Sequence, residues 1–302
     1  MITGLALAGY AALVGALLPT VLARARWTHR APGVAVLAWQ GLMASFVVAT
    51  ALAVYHLVLT EQHVHAGIMG LLTVCGLSAD APEGGGPPNL GDLLALAAPL
   101  MVVLLPLVCL TRCAWLVRRA RSRQLGMLAL VGEPAPEYGA TIVEYDIPAV
   151  YCLPGRRARV VVTRGALDVL SDAQLRAVLE HERAHIEGRH HLPKVFSDAF
   201  AKAFPGLPLA RYAKEQTFLL LEMSADDRAL RHHSRDALAT AMCQVAAGRT
   251  PLGALGAGGS GALLRLRRIL TPQPRPHRAA WLGVLAAAVA APLLPLLVAC
   301  GP

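Results

Sequence analysis

The stretch HERAHIEGRHH, from His181 to His191, decides how the rest of the chain is interpreted. Residues four apart on a helix share one face, so His181 and His185 can direct two imidazoles at one metal ion. Glu182 lies one position round the helix and can reach a water molecule beside that metal, which predicts the general base. Two histidines and a glutamate at this spacing are a zinc signature, and they predict one Zn²⁺ ion per chain.

Two residues are candidates for the third zinc ligand, and the first is His191. On a continued helix His191 would lie about 600° beyond His185, and therefore about 120° away from the metal face. It can bind the metal only if the chain breaks at Gly188 and turns back, as in the metzincin form H-E-x-x-H-x-x-G-x-x-H. That form also needs a methionine turn beneath the metal. The nearest methionine, Met223, lies in a helical pattern without turn residues.

The second candidate is Glu222, in the stretch Glu222-Met-Ser-Ala-Asp226. A helix again places both carboxylates on one face. Glu222 would complete a site of two histidines and one glutamate with the fourth position open, the usual arrangement of catalytic zinc. Asp226 would accept the free ring N–H of a histidine ligand and so fix its tautomer. Alternatively, Glu222 and Asp226 could be ordinary solvated charges on a helix. The three leucines at 219–221 argue against solvation. We therefore predict Glu222 as the third zinc ligand.

The composition indicates a membrane protein. The chain has 302 residues, of which 55% are hydrophobic, and its mean hydropathy is +0.50, whereas soluble domains are usually about 45–50% apolar. A membrane span needs about 20 apolar residues. Four stretches have this length: Ile2–Leu22, Val34–Leu59, Leu93–Thr111 and Trp281–Ala299. The six cysteines form no C-x-x-C pair, which argues against a disulfide framework and a cysteine-based zinc site.

The arginines predict the orientation of these spans, because cytoplasmic loops are rich in Lys and Arg. Arginines follow the first and third spans and precede the fourth, and no Lys or Arg occurs between residues 31 and 111. We therefore predict that both termini are outside and that residues 60–92 form an outer loop. The predicted domains are a three-helix membrane region at 1–117, a cytoplasmic domain at 118–278 and a fourth membrane helix at 279–302.

The net charge of +9 is explained by this orientation and by attraction to lipid headgroups. No aromatic–basic pattern accompanies the arginines. We therefore expect membrane lipid as a partner and no direct binding of nucleic acid.

The segment between the third and fourth spans predicts a mixed α+β domain. Runs rich in β-branched and aromatic residues predict strands at 141–145, 149–152 and 159–163. Ser171 and Gln174 form a capping box that begins the helix carrying His181. Two more helical patterns follow, at 215–231 and 235–247. Strands followed by a capped helix with this zinc signature are the layout of a zincin domain.

With these motifs the sequence resembles the BlaR/MecR-type membrane metallopeptidases, especially compact members without an extracellular sensor domain. The resemblance covers most of the chain, including the span order. It rests on ProAlaValTyrCysLeuProGly at 148–155, ValValThrArgGlyAlaLeu at 161–167, HisGluArgAlaHis at 181–185 and GluMetSerAlaAsp at 222–226. It implies that His181, His185 and Glu222 bind zinc and that Glu182 is the base. Members often carry an aspartate where this chain has His190.

The resemblance also implies a fold and a function. The fold would be an α-helical membrane protein of about four transmembrane helices, with a cytoplasmic α+β zincin-like metallopeptidase domain inserted between spans three and four. The function would be a zinc endopeptidase of the bacterial inner membrane that cleaves a BlaI/MecI-like transcriptional repressor. Two alternatives stay open: an HtpX-like or CAAX-prenyl-protease-like quality-control or processing protease, and a catalytically idle receptor with structural zinc. Retention of Glu182 argues against the idle receptor, because a structural site needs no base.

Two further predictions concern the substrate. An extended peptide can bind by pairing with the edge strand of a sheet, and the predicted edge strand consists of Arg159, Val160, Val161 and Val162. The oxyanion formed during peptide hydrolysis needs a donor in addition to zinc. The candidate donors are Arg228, His232 and His233, which follow Asp226 by one to two helical turns.

Overall fold

The computed structural model describes residues 1–58, 90–155, 158–249, 259–271 and 278–299. The predicted outer loop at 60–92 lies almost entirely outside these ranges. Within them, three helices are long and apolar enough to cross a membrane: Ile2–Arg24, Pro32–Val58 and Ala97–Val131. The first two agree with the predicted spans, and the third overlaps the predicted span Leu93–Thr111 but runs twenty residues further, to Val131. These helices support a membrane protein.

The chain is mostly helical, with a small sheet between the third span and the domain helices. The membrane region contains α1 (Ile2–Ala12), a π-helical segment (Leu13–Leu17), α2 (Leu18–Arg24), α3 (Trp27–Arg30), α4 (Pro32–Val58) and α5 (Leu90–Val131). The strands are β1 (Gly132–Ala135), β2 (Ala140–Val143), β3 (Val150–Leu153) and β4 (Arg159–Thr163). The helices that follow are α6 (Arg164–Val169), α7 (Asp172–Glu187), α8 (His191–Ala203), α9 (Pro208–Ala229), α10 (Arg235–Arg249), α11 (Gly259–Leu270), α12 (Arg278–Ala290) and α13 (Leu294–Ala299). The predicted domain boundary at 117–118 falls inside α5, which runs from the membrane region directly into β1.

The sheet has the strand order β1-β2-β4-β3. β2 and β4 are parallel, and the other two pairings are antiparallel. β4 is therefore an interior strand, with partners on both sides, so the prediction that Arg159–Val162 form an edge strand is wrong. β3 lies at that edge of the sheet, next to α7.

α7 begins and packs as its sequence predicts. Ser171 and Gln174 form the expected capping box. Leu175, Val178 and Leu179 are buried against the valines of β3 and β4. Burying one such side chain contributes about 1.5–3 kcal/mol, so this apolar face holds α7 firmly on the sheet.

The predicted fourth span is broken into α12 and α13, and both pack against α4. Pro295 has no N–H to donate to the carbonyl of Ala291, four residues earlier. The hydroxyl of Ser45, in α4, donates to that carbonyl instead, at 2.8 Å. At Gly41 a Cβ would lie 2.3 Å from the Ala288 carbonyl oxygen, so α4 and α12 are in backbone contact there. The broken helix is thus held beside α4 by contacts that satisfy its freed backbone group.

One apolar core joins the membrane helices to the domain. It contains Trp39 and Met43 of α4, Phe200 of α8, and Leu209 and Leu220 of α9, all nearly inaccessible to solvent. The membrane region and the α+β domain are therefore packed together through α8 and α9.

Candidate metal centre

Three potential ligands from two helices meet beside this core. α7 supplies His181 and His185, and α9, which packs along α7, supplies Glu222. One ligand atom from each lies within 4.8 Å of the other two. Both imidazoles are buried, and Glu222 is partly exposed.

The nearest approaches within this group are close to the ligand spacing around a tetrahedral zinc ion, with Glu222 turning a different oxygen to each histidine. His181 Nε2 lies 3.2 Å from His185 Nε2. The Glu222 carboxylate lies 3.5 Å from His181 Nε2 through Oε2 and 3.4 Å from His185 Nε2 through Oε1. Zinc bonds of about 2.0–2.2 Å at tetrahedral angles separate neighbouring ligand atoms by roughly 3.3–3.5 Å. The three residues can therefore hold zinc and leave a fourth position for water or substrate.

The other ring nitrogen of His181 faces Asp226. His181 Nδ1 lies 3.0 Å from Asp226 Oδ1, and this aspartate is almost completely buried. Arg265 of α11 donates to both Asp226 oxygens, at 2.9 and 2.8 Å. His181 Nδ1 is close to this carboxylate without the angle of a hydrogen bond, while Nε2 lies towards His185 and Glu222. A carboxylate next to the outer ring nitrogen is the partner that selects the tautomer of a metal ligand.

These contacts set the charges of the metal-free site. Burial lowers the pKa of His181, but the carboxylates of Asp226 and Glu222 more than offset burial and raise the pKa to about 9. Burial raises the pKa of Glu222, whereas contacts with His181 and His185 and the charge of Lys194 bring the pKa far below its usual value. Near pH 7 the metal-free site therefore holds a carboxylate and a protonated His181.

Zinc affinity should depend on pH, because a metal ion must displace this proton. Below about pH 9 the proton on His181 competes with zinc, so we expect apparent affinity to rise about tenfold per pH unit from pH 7 to 9. Competition with a chelator whose own protonation is corrected for would measure this. Asp226→Asn should lower the pKa of His181 and flatten the dependence. If the zinc affinity of the unchanged protein depended on pH as weakly as that of Asp226→Asn, the predicted proton on His181 would be contradicted.

His185 is oriented by His190. The two Nδ1 atoms lie 2.8 Å apart. Burial and the neighbouring His185 lower the pKa of His190 to about 4, so its ring is neutral and can accept the N–H of His185. The turn between α7 and α8 makes this contact: Arg189 has a φ of 48°, and a Cβ at Gly188 would lie 2.5 Å from the His190 ring. A glycine is required where the imidazole folds back over the chain.

His191, the other candidate for third ligand, lies elsewhere. It is partly buried at the start of α8 and does not belong to the ligand group among the described residues. Burial and then the charges of Arg121 and Arg189 lower its pKa. The chain does break at Gly188, as a metzincin would need, but the break brings His190 rather than His191 back to the site.

Glu182 lies on the side of α7 that faces β3. Burial and the adjacent Glu182 carboxylate raise the pKa of Cys152, in β3, to about 12. Cys152 therefore stays a neutral thiol, which is a poor zinc ligand. Glu182 is next to the metal group without belonging to it, as a general base requires.

The predicted oxyanion donors are not brought to the metal group. Arg228 pairs with Glu180 at 3.4 Å and also with Glu187, both in α7. His232 is exposed and His233 partly buried in the turn after α9. Within the described part of the chain, no hydrogen bond or ion pair joins these three side chains to the ligands. Their role stays a prediction.

Two cations at the site were not predicted from the sequence. Lys194 Nζ lies 2.9 Å from Glu222 Oε1 and 5.4 Å from the ring centre of Phe218. Arg265 Nη1 lies 3.2 Å from Glu222 Oε2. Lys194 stands one helical turn after His190, a spacing that could have indicated it, whereas nothing near Arg265 in the sequence points to the zinc motif.

Arg265 should be essential to the stability of the site. Arg265→Met would leave the buried Asp226 carboxylate without its bidentate partner, which typically costs about 3–5 kcal/mol. Zinc affinity should also fall by about 10- to 100-fold, as for other outer-sphere partners. Chemical denaturation and zinc titration would measure both effects. Arg267→Met, at an exposed position of α11, is the matched control, and equal behaviour of the two variants would refute this role.

Comparison with known proteins adds one match. Residues 116–247 match the sequence model of Peptidase family M48. The matched segment is less than half of the chain, and it contains His181, Glu182, His185 and Glu222. It supports a metal-dependent peptidase, generally a zinc enzyme in this family, but it does not confirm the BlaR/MecR resemblance. No match was found among curated proteins or among solved structures.

Proposed function

We propose that this chain is an integral membrane zinc endopeptidase. The observation that carries the proposal is that His181, His185 and Glu222 bring one ligand atom each within 4.8 Å of the other two, in the donor set of two histidines and one carboxylate that is usual for catalytic zinc. The match to a peptidase family over the same residues supports the same chemistry. The arginine distribution further supports a cytoplasmic catalytic domain with both termini outside.

The chemistry divides between the ion and the protein. Bound zinc supplies a Lewis acid and lowers the pKa of the attacking water. Glu182 accepts the proton of this water and returns it to the leaving amine, which is general acid–base catalysis. Asp226 and His190 hold the two imidazoles in the tautomer that leaves Nε2 for the metal.

The substrate peptide is expected to bind along β3. β4 is enclosed by two partners, but β3 pairs only with β4 among the described residues. β3 also places Cys152 beside Glu182. A peptide added to this edge by β-augmentation would pass the general base in an extended conformation. This assigns to residues 150–153 the role that the sequence predicted for the next strand.

The physiological substrate is a proposal, and the first candidate comes from the resemblance to the BlaR/MecR-type peptidases. A BlaI/MecI-like repressor would make the chain a signalling protease. A membrane protein substrate would make it a quality-control or processing protease, which the joint core of the membrane helices and α8–α9 favours. The idle receptor is disfavoured because Glu182 lies beside the ligand group without a metal-binding role.

Comparing protein N-termini in cells that carry the wild type or Glu182→Ala would test the proposal. One lost cleavage inside a small DNA-binding protein would identify a signalling protease. Many lost cleavages in membrane proteins would identify a processing or quality-control role. Identical sets of N-termini, under envelope stress as well, would refute the endopeptidase.

A further inference from the structure

α8 and α9 form a helical hairpin whose tip is apolar. The hairpin tip is the segment Phe204-Pro-Gly-Leu-Pro-Leu209, which contains no charged residue. Pro205 and Gly206 at its apex are exposed. Both arms of the hairpin begin or end near the metal group, because His190 precedes α8 and Glu222 lies in α9. The tip is therefore the part of the hairpin furthest from the metal.

The hairpin tip contacts the membrane helices near their midpoints. A Cβ at Gly15, in the π-helical segment, would lie 3.3 Å from the Leu207 side chain. Phe46 packs edge-on against Phe204, with ring centres 5.4 Å apart. Gly15 lies nine residues before Arg24, or about 13 Å along the first span. Phe46 lies at the middle of α4. The half-thickness of the hydrocarbon layer is about 15 Å, so these contacts lie deep within it.

The opposite end of α9 lies level with the end of the spans. Arg268 donates to the carbonyl of His29, in α3, at 2.8 Å. The same guanidinium contacts both oxygens of Asp227, near the C-terminus of α9, at 2.7 Å. α9 thus runs from mid-span at Leu207 to the short helix that joins the first two spans. Glu222, five residues before Asp227, therefore lies close to the level of α3.

The charged residues of the hairpin lie outside its apolar tip. All three lysines of the chain lie on the hairpin, outside its tip. Asp198 forms ion pairs with Lys202 at 2.9 Å and with Lys214 at 2.7 Å. The first pair turns the Lys202 charge back from the tip by one helical turn, and the second joins the two arms of the hairpin. Long basic side chains near a membrane boundary can extend their charges towards water. Beyond the tip, an apolar groove of about 320 Å³ continues from Leu207 between the first two spans to Leu57.

We propose that the hairpin tip is a re-entrant element that lies among lipid acyl chains, on the side of the membrane that holds the catalytic domain. Lipid is the occupant that these contacts fit, because exposed surface that adjoins the middle of a span faces hydrocarbon. The insertion fixes the metal group at the membrane surface. A substrate must then present its cleaved bond at that surface.

Depth-dependent fluorescence quenching would test the proposal on the full chain. In a background with all six cysteines replaced by alanine, Pro205→Cys carries a bimane label at the tip. Ala173→Cys is the matched control, because it is exposed in the first turn of α7, about 18 Å along the helix from His185. In vesicles of phosphatidylcholine brominated on its acyl chains, the label at 205 should lose most of its emission and the label at 173 should not. Iodide in the water should quench only the label at 173.

The reverse pattern would overturn the proposal: iodide quenching at 205 equal to that at 173, with no effect of brominated chains. Arg211→Cys supplies a second probe, one turn from the tip and exposed, and should show intermediate quenching by both agents. Zinc binding by each labelled variant shows whether it is folded. Neither fluorescence quenching nor zinc binding measures peptidase activity. A negative result for the re-entrant tip is therefore distinct from a negative result for the proposed endopeptidase.

Discussion

Glu182→Gln should nearly abolish peptide hydrolysis while zinc stays bound. Glutamine preserves the shape of the side chain but cannot accept the proton of the attacking water. Loss of a general base typically lowers the rate by about 10²- to 10⁴-fold. Zinc binding should change little, because Glu182 is not one of the three residues of the ligand group. Hydrolysis of a peptide library and zinc content, measured on the same preparation, would show this separation.

Glu187→Gln is the matched control for this variant. Glu187 is an exposed carboxylate at the end of the same helix, and its loss should leave hydrolysis near the wild-type rate. If Glu182→Gln lost its zinc, Glu182 would be a structural residue of the site. If it kept full activity, another base would have to be found.

Glu222→Ala should release most of the zinc. Among the described residues, the Glu222 carboxylate is the anionic member of the ligand group, with one oxygen 3.5 Å from His181 and the other 3.4 Å from His185. Its removal also leaves Lys194 and Arg265 facing the metal without a neutralising charge. Outer-sphere changes alone cost about 10- to 100-fold in affinity, so loss of a direct ligand should cost more. Equilibrium titration with zinc would measure it.

Two further variants separate the candidate third ligands. Glu215→Ala changes an exposed carboxylate of the same helix and should bind zinc normally. His191→Ala should also bind zinc normally, because His191 lies outside the ligand group. Loss of zinc in His191→Ala, together with retention in Glu222→Ala, would restore the metzincin arrangement.

Predictions from local sequence agree best with the structure. Ser171 and Gln174 lie three residues apart, and their capping box needs no contact outside α7. His181 and His185 share a face because a helix repeats every 3.6 residues. The first three spans were found because a long apolar helix is identified by composition alone.

Predictions that depended on distant contacts were wrong or missing. β4 was predicted to be the edge strand by its likeness to the substrate-binding strand of zincins, but it is interior because β2, about twenty residues earlier, pairs with it in parallel. α8 was not predicted, although its buried Ser197, Phe200 and Ala203 recur at helical spacing; its packing against Phe46 of α4 depends on a distant contact. The fourth span was predicted as one stretch containing prolines, and the structure divides it near Pro292 and Pro295, where Ser45 donates to the Ala291 carbonyl.

The sequence by itself determined a helix bearing two histidines and a base, a second helix bearing two carboxylates, and a membrane location. Each follows from periodicity, capping or hydropathy, which act within a few turns of chain. Only the tertiary structure decided that Glu222 lies beside the two histidines, that Arg265 and His190 contact this group, and that α8 and α9 pack against the apolar helices of the membrane region. These depend on side chains brought together across tens or hundreds of residues, and the free energy of packing that does so is not carried by any one segment.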